Sequence, residues 1–169
     1  VRKSDCIAAG GFASRFWPGE DTIFCLKLTR ELGKALVYAP EVLVWHHRRP
    51  IYLEHLRQIG RYAFNRGYSV KKFPATSFRL CYFLPTLLLG WIVLGWMPGW
   101  YWRPWLITYA SSLAGYFGLL ASEAMRVPEW RLKFPVGLGI FLSHLAYGGS
   151  FICGLFSRSG LKIPSTAAR

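Results

Sequence analysis

The sequence predicts an α/β unit followed by α-helical transmembrane segments, and two observations carry that expectation. Residues 1–79 hold 14 Lys and Arg against 6 Asp and Glu and pass through helical and strand-like patterns, whereas residues 80–169 hold only 7 and 2. Within that second half, Leu80–Trp102 (23 residues), Pro104–Ser122 (19) and Pro135–Ser157 (23) contain no Asp, Glu, Lys or Arg at all. A helix of such length covers about 34 Å, enough for a hydrocarbon core of about 30 Å. A 79-residue polar part is too small to bury three such helices.

Composition agrees with this division. The 169 residues are 53% hydrophobic and 17% aromatic, with eight Trp, a mean hydropathy of +0.24 and only 17% charged. An ordinary soluble domain carries about 25% charged residues, so a cytosolic globule is excluded, and the length excludes an elaborate multidomain enzyme. Trp96, Trp100, Tyr101, Trp102, Trp105 and Trp130 gather at the ends of the apolar runs, where amphipathic rings prefer the membrane–water boundary. A formal charge of +13 suits nucleic acid, an anionic membrane surface or an anionic substrate. Its concentration beside apolar runs argues against nucleic acid.

In the polar part, Gly10-Gly11-Phe12 and Phe16-Trp17-Pro18-Gly19 read as turns. The second delivers the chain to Glu20-Asp21-Thr22 at a helix start. Asp21, Cys25, Leu28 and Leu32 follow i, i+4, i+7, i+11 and share one face, which Asp21 opens, and Gly33 stands as the stop. Ala35–Tyr38 and Val42–Trp45 read as two short strands around an Ala39-Pro40-Glu41 turn, leading into His46-His47-Arg48-Arg49-Pro50. Residues 51–66 are again helical. Tyr52, Leu56, Ile59 and Ala63 lie on one side, Glu54, Gln58, Arg61 and Asn65 on the other, and Gly67 breaks the pattern. This amphipathic, basic segment suits an interfacial helix, with Lys71, Lys72 and Arg79 against anionic lipid, or a plain helix of the soluble domain. Cys6, Cys25, Cys81 and Cys153 lie far apart, with no CxxC and no His at zinc spacing, and read as reduced thiols. Nothing at the start resembles a signal peptide.

A carboxylate pair at a helix N-terminus after glycines is held ionised by the helix dipole, as a general base requires. Asp21 is therefore the first candidate, with helix capping by Glu20 and Asp21 as the structural alternative. His46-His47-Arg48-Arg49 at a strand end suits a metal-bound diphosphate or, equally, a solvated basic loop. Gln58 and Arg61 suit a phosphate or an acceptor, or a plain solvated face. His144, alone in an apolar segment, reads as a hydrogen-bonded packing residue.

In order, Gly10-Gly11-Phe12, Phe16-x-Pro-Gly-Glu20-Asp21-Thr22, the run into His46-His47-Arg48, and Gln58-x-x-Arg61-Tyr62 before membrane helices resemble the C-terminal half of a family 2 glycosyltransferase of the GT-A type. The resemblance covers residues 1–72. It implies a membrane-bound bacterial enzyme that moves a sugar from a nucleotide-sugar donor to a lipid-linked or polysaccharide acceptor with inversion. It further implies Asp21 as the catalytic base supported by Glu20, Gly10, Gly11, Phe12 and Gln58 on the acceptor side, and Arg61 and Arg48 at the diphosphate. His46 would lie near a divalent metal, Mg²⁺ or Mn²⁺. Tyr62 stands where processive synthases have Trp, which favours a non-processive transferase, or a looser relative, over a processive polymerase. No DxD metal motif occurs in the chain, so the resemblance implies that the donor-binding half precedes Val1 and that this polypeptide alone does not turn over.

The expected layout is thus 1–72 catalytic, 80–157 membrane with spans 80–102, 104–122 and 135–157, and a polar tail, 158–169. With the catalytic part facing the cytoplasm at the bacterial inner membrane, Arg126, Arg131 and Lys133 return to the cytoplasm, as the positive-inside rule asks. Three spans put Arg158, Lys162 and Arg169 outside, so a re-entrant glycine-rich third segment stays open. The reading from another class is a non-enzymatic membrane subunit or export scaffold, which the missing DxD favours.

Overall fold

The structure, a computed structural model, describes residues 1–13, 18–45 and 52–161. Every regular element among the described residues is helical: α1 (Lys3–Ala8), α2 (Glu20–Arg30), α3 (Leu53–Lys72), α4 (Pro74–Ser77), α5 (Leu84–Leu94), α6 (Trp105–Met125) and α7 (Trp130–Phe156), with 3-10 turns at Leu80–Tyr82 and Met97–Trp100. The α/β expectation is therefore corrected to an all-helical fold among the described residues. The two expected strands exist only as an extended stretch. Its turn is present, closed by Val42 N–H donating to the Ala39 carbonyl at 3.1 Å, but no ladder joins 35–38 to 42–45. Val37 and Tyr38 are largely solvent-exposed and Trp45 is fully so. Two short strands without a third, or a helix laid across them, are marginal in water; Leu36 lies beside Cys25, Leu26 and Thr29 of α2, but the side chains of 35–38 and 42–45 stay exposed.

The first two helices pack on each other. Gly10 and Gly11, at φ 73° and 66°, turn the chain at the end of α1. Ala9 then joins Phe24 and Leu28 in a small core flanked by Cys6 and Leu32. Phe12 lies on Phe24 with ring centroids 4.6 Å apart, Lys27 Nζ donates to the Ala9 carbonyl at 2.9 Å, and Lys34 pairs with Asp5 at 3.1 Å. Gly33 ends α2 as expected: it is left-handed at φ 61°, and Lys34 N–H turns back to the Leu28 carbonyl at 2.8 Å.

The remaining helices surround α7. This is an unbroken helix of 27 residues, about 40 Å long, and it is long and apolar enough to cross a bilayer. The apolar stretch Leu84–Trp100 is shorter than a span. α6 runs against α7, where Gly137 admits Leu120 and Ala124 and Tyr116 Oη shares a 2.8 Å hydrogen bond with His144 Nδ1. His144 is thus partnered, as its solitary position in an apolar run suggests. α5 meets α7 at Gly148, where an added Cβ would stand 2.5 Å from the Pro85 carbonyl oxygen, and Thr86 Oγ1 donates to the Gly148 carbonyl at 3.1 Å. α5 and α6 are tied by Trp91 Nε1 donating to Ser112 Oγ at 2.9 Å and Trp105 Nε1 to the Gly95 carbonyl at 2.7 Å.

α3 departs most from its expected bounds of 51–66. It runs on through Gly67 to Lys72 and packs lengthwise along α7. Gly60 faces Ser150, Phe64 faces Gly154 and Lys71 reaches the Ser157 carbonyl, so the two helices run parallel. At Gly67 an added Cβ would strike the Phe151 carbonyl oxygen, and at Gly154 that of Phe64. Glycine inside a helix costs about 1 kcal/mol relative to alanine. Here that cost is offset by backbone-to-backbone packing of the small-residue kind found between membrane helices. Phe151, fully buried, fills the junction and meets the Phe83 ring edge-on at 4.9 Å.

Candidate functional site

Where the N-terminus of α2 meets α3 and α4, a polar recess of about 100 Å³ opens. Pro18, Gly19, Asp21 and Thr22 form one wall. Tyr62, Asn65, Arg66 and Ser69 of α3 form the opposite wall, and Thr76 and Ser77 close the end. The α3 residues lie at i, i+3, i+4 and i+7, a single stripe of a 3.6-residue helix. Ile23, buried under the start of α2, holds that helix end against the stripe.

Asp21 sits in the first turn of α2, beside the partial positive charge of the helix end. Its Oδ1 accepts from the Thr22 backbone N–H at 2.7 Å, and its side chain is exposed rather than turned into the α2 core, whose buried residues are Ile23, Phe24 and Leu28. Opposite it, Arg66 is fixed twice: Nη1 donates to the Thr76 carbonyl at 3.5 Å, and the guanidinium lies over the Tyr82 ring at 4.5 Å. Asn65 is 8% exposed. Its Oδ1 has no hydrogen-bond partner among the described residues, and neither has the buried Oε2 of Glu20. An orphaned acceptor of this kind costs about 1–3 kcal/mol unless a donor arrives. A recess lined by a carboxylate, a guanidinium and several hydroxyls, with the unpaired but buried Asn65 amide oxygen in its wall, suits a polyhydroxylated ligand.

No family model, curated protein or solved structure matches this chain.

The expected site residues are distributed as follows. Asp21 lines the recess. Gly10, Gly11 and Phe12 belong to the α1 turn and the ring pair with Phe24 and are not among the lining residues. Gln58 continues the Tyr62–Asn65–Ser69 stripe, about 10 Å above Asn65. Arg61 lies on the other side of α3, in a groove with Leu53, Leu56 and Phe64, and Arg66 occupies the place at the recess. His46 and Arg48 lie outside the described residues. Among the described residues no group of three or more His, Cys, Asp or Glu could hold a metal ion, so the divalent ion that the resemblance implies has no donor set there. Arg66 and Ser69 went unselected in the sequence, and Tyr62 and Asn65 were named there only for the Gln58-x-x-Arg61-Tyr62 spacing and the polar face, although the polar repeat Gln58, Tyr62, Asn65, Ser69 is visible once the helix is carried past Gly67.

Proposed function

We propose that this chain belongs to a membrane-bound glycosyltransferase of inverting type, and that the recess at the start of α2 receives the acceptor. The observation that supports it is Asp21, a carboxylate at a helix N-terminus, lining one small polar recess with Arg66 and with Asn65, whose buried amide oxygen lacks a partner. In this reading the acceptor hydroxyl gives its proton to Asp21 as its oxygen bonds to the anomeric carbon of the donor. The bond from that carbon to the diphosphate breaks, and the electron pair leaves with the nucleoside diphosphate. Arg66 meets the growing charge with guanidinium hydrogen bonds. The acceptor is lipid-linked or a glycan. The apolar length of α7 supports membrane attachment, and we assign the bacterial inner membrane with the recess on the cytoplasmic side.

The test uses the full-length protein in membranes, a panel of nucleotide sugars and a membrane lipid extract, with nucleoside diphosphate release as the readout. Acceptor-dependent release that falls about 10²-fold or more in Asp21→Asn supports the reading. Equal rates in the two proteins overturn it.

A further inference from the structure

The side of α3 turned away from the recess carries a second feature. Leu53, Leu56 and Phe64, with Leu161 beyond the end of α7, line an open groove of about 440 Å³, and Arg57 and Arg61 stand at its edge. Gly60 and Tyr62 are about 200° apart around the helix axis, so the groove and the Asp21 recess lie on opposite faces of α3. The groove owes its depth to Gly60, where a Cβ would come within 2.9 Å of Ser150 Oγ.

Apolar walls with paired guanidiniums are complementary to one class of ligand, an acyl chain that ends in a phosphate. Arg57 and Arg61 are four residues apart, which sets their side chains about 6 Å from one another on the helix surface, a span that one phosphate bridges. α3 carries one carboxylate, Glu54, against Arg57, Arg61, Arg66, Lys71 and Lys72. The Gly60–Ser150 contact puts the arginines some two turns from the C-terminal end of the apolar α7, a depth from which long basic side chains snorkel to the interface.

We infer that this groove binds an anionic phospholipid, its acyl chain along Leu53, Leu56, Phe64 and Leu161 and its phosphate on Arg57 and Arg61. The site is separate from the recess and stands whether or not the recess transfers sugar.

Native mass spectrometry of the full-length protein in mixed micelles holding equal amounts of phosphatidylglycerol and phosphatidylcholine with identical chains tests this. One phosphatidylglycerol should stay bound, preferred by about tenfold or more. Arg57→Gln/Arg61→Gln should abolish the preference. Lys3→Gln/Arg30→Gln, which removes equal charge from the α1–α2 end, should keep it. Excess glycerol 3-phosphate, the headgroup chemistry without chains, should not displace the lipid. Equal retention of the two lipids, an unchanged preference in the Arg57/Arg61 variant, an equal loss in the Lys3/Arg30 variant, or displacement by glycerol 3-phosphate would each overturn the inference.

Discussion

Replacing Gly154 by alanine tests the parallel packing of α3 on α7. The new methyl would overlap the Phe64 carbonyl oxygen and lie 2.7 and 2.9 Å from the Phe64 carbonyl carbon and Cα. Carbon atoms rest at about 3.5–4.0 Å, so α3 must retreat by about 1 Å, and because the obstacle is backbone no rotamer change relieves it. Alanine gains about 1 kcal/mol in helix propensity. Overpacking of this severity costs about 1–3 kcal/mol and sometimes more, and a gap of that width along the rest of the interface forfeits a quarter to a half of each dispersion contact it opens. The expected balance is a loss of about 1–2 kcal/mol, or several degrees in melting temperature at about 2–4 °C per kcal/mol for a chain of this size. Gly118 of α6, with nothing within 4 Å of an added Cβ, provides the reference: Gly118→Ala should melt at or above the wild type. Thermal unfolding of the detergent-solubilised protein, followed by circular dichroism, makes the comparison. A Gly154→Ala protein as stable as Gly118→Ala would refute backbone contact between α3 and α7. Gly67→Ala/Gly154→Ala should lose less than the sum of the single variants, since one displacement of α3 serves both.

Asp21→Asn keeps an acceptor oxygen for the Thr22 N–H but cannot take a proton, so on the proposed reading stability should change little while sugar transfer falls about 10²-fold or more; normal turnover would remove Asp21 as the base. Arg66→Ala should weaken nucleoside diphosphate binding measured by calorimetry, and Arg66→Lys should recover only part of it, because an ammonium lacks the guanidinium fork. Tyr116→Phe leaves His144 Nδ1 without its 2.8 Å partner and should cost about 1 kcal/mol, a loss that a double-mutant cycle with His144→Phe assigns to the pair. The chain should remain with the bilayer through alkaline carbonate extraction, given the length and apolarity of α7; recovery in the soluble fraction would remove α7 as a span.

What the sequence disclosed and what it hid divide along physical lines. Local signals held: Gly33 stops α2, the glycines at 10 and 11 turn the chain, and the Ala39-Pro40-Glu41 turn forms. Each depends on backbone conformation within a few residues. The strands failed because alternating β-branched and aromatic residues report a preference for a pleated surface, and only tertiary neighbours provide one. Gly67 misled for the reverse reason, since glycine reads as a break locally and as a close-contact position when a second backbone presses on it. That one residue hid the last turns of α3, and with them Ser69 at the recess. Asp21 was legible from its place at a helix start. Which arginine stands opposite was not, because Arg61 and Arg66 are separated by about 140° around α3.

The close fit at Gly67 and Gly154 gives α3 the character of a strut with a fixed stop. Because its backbone is seated directly on that of α7, α3 cannot slide along its neighbour without lifting off it. The stripe that carries Asn65 and Arg66 is therefore held at one height along the apolar post. A ligand tethered to the membrane would have to reach that height by its own length, so the distance between its anchor and its hydroxyl becomes a criterion of selection, set by two glycines that never touch it.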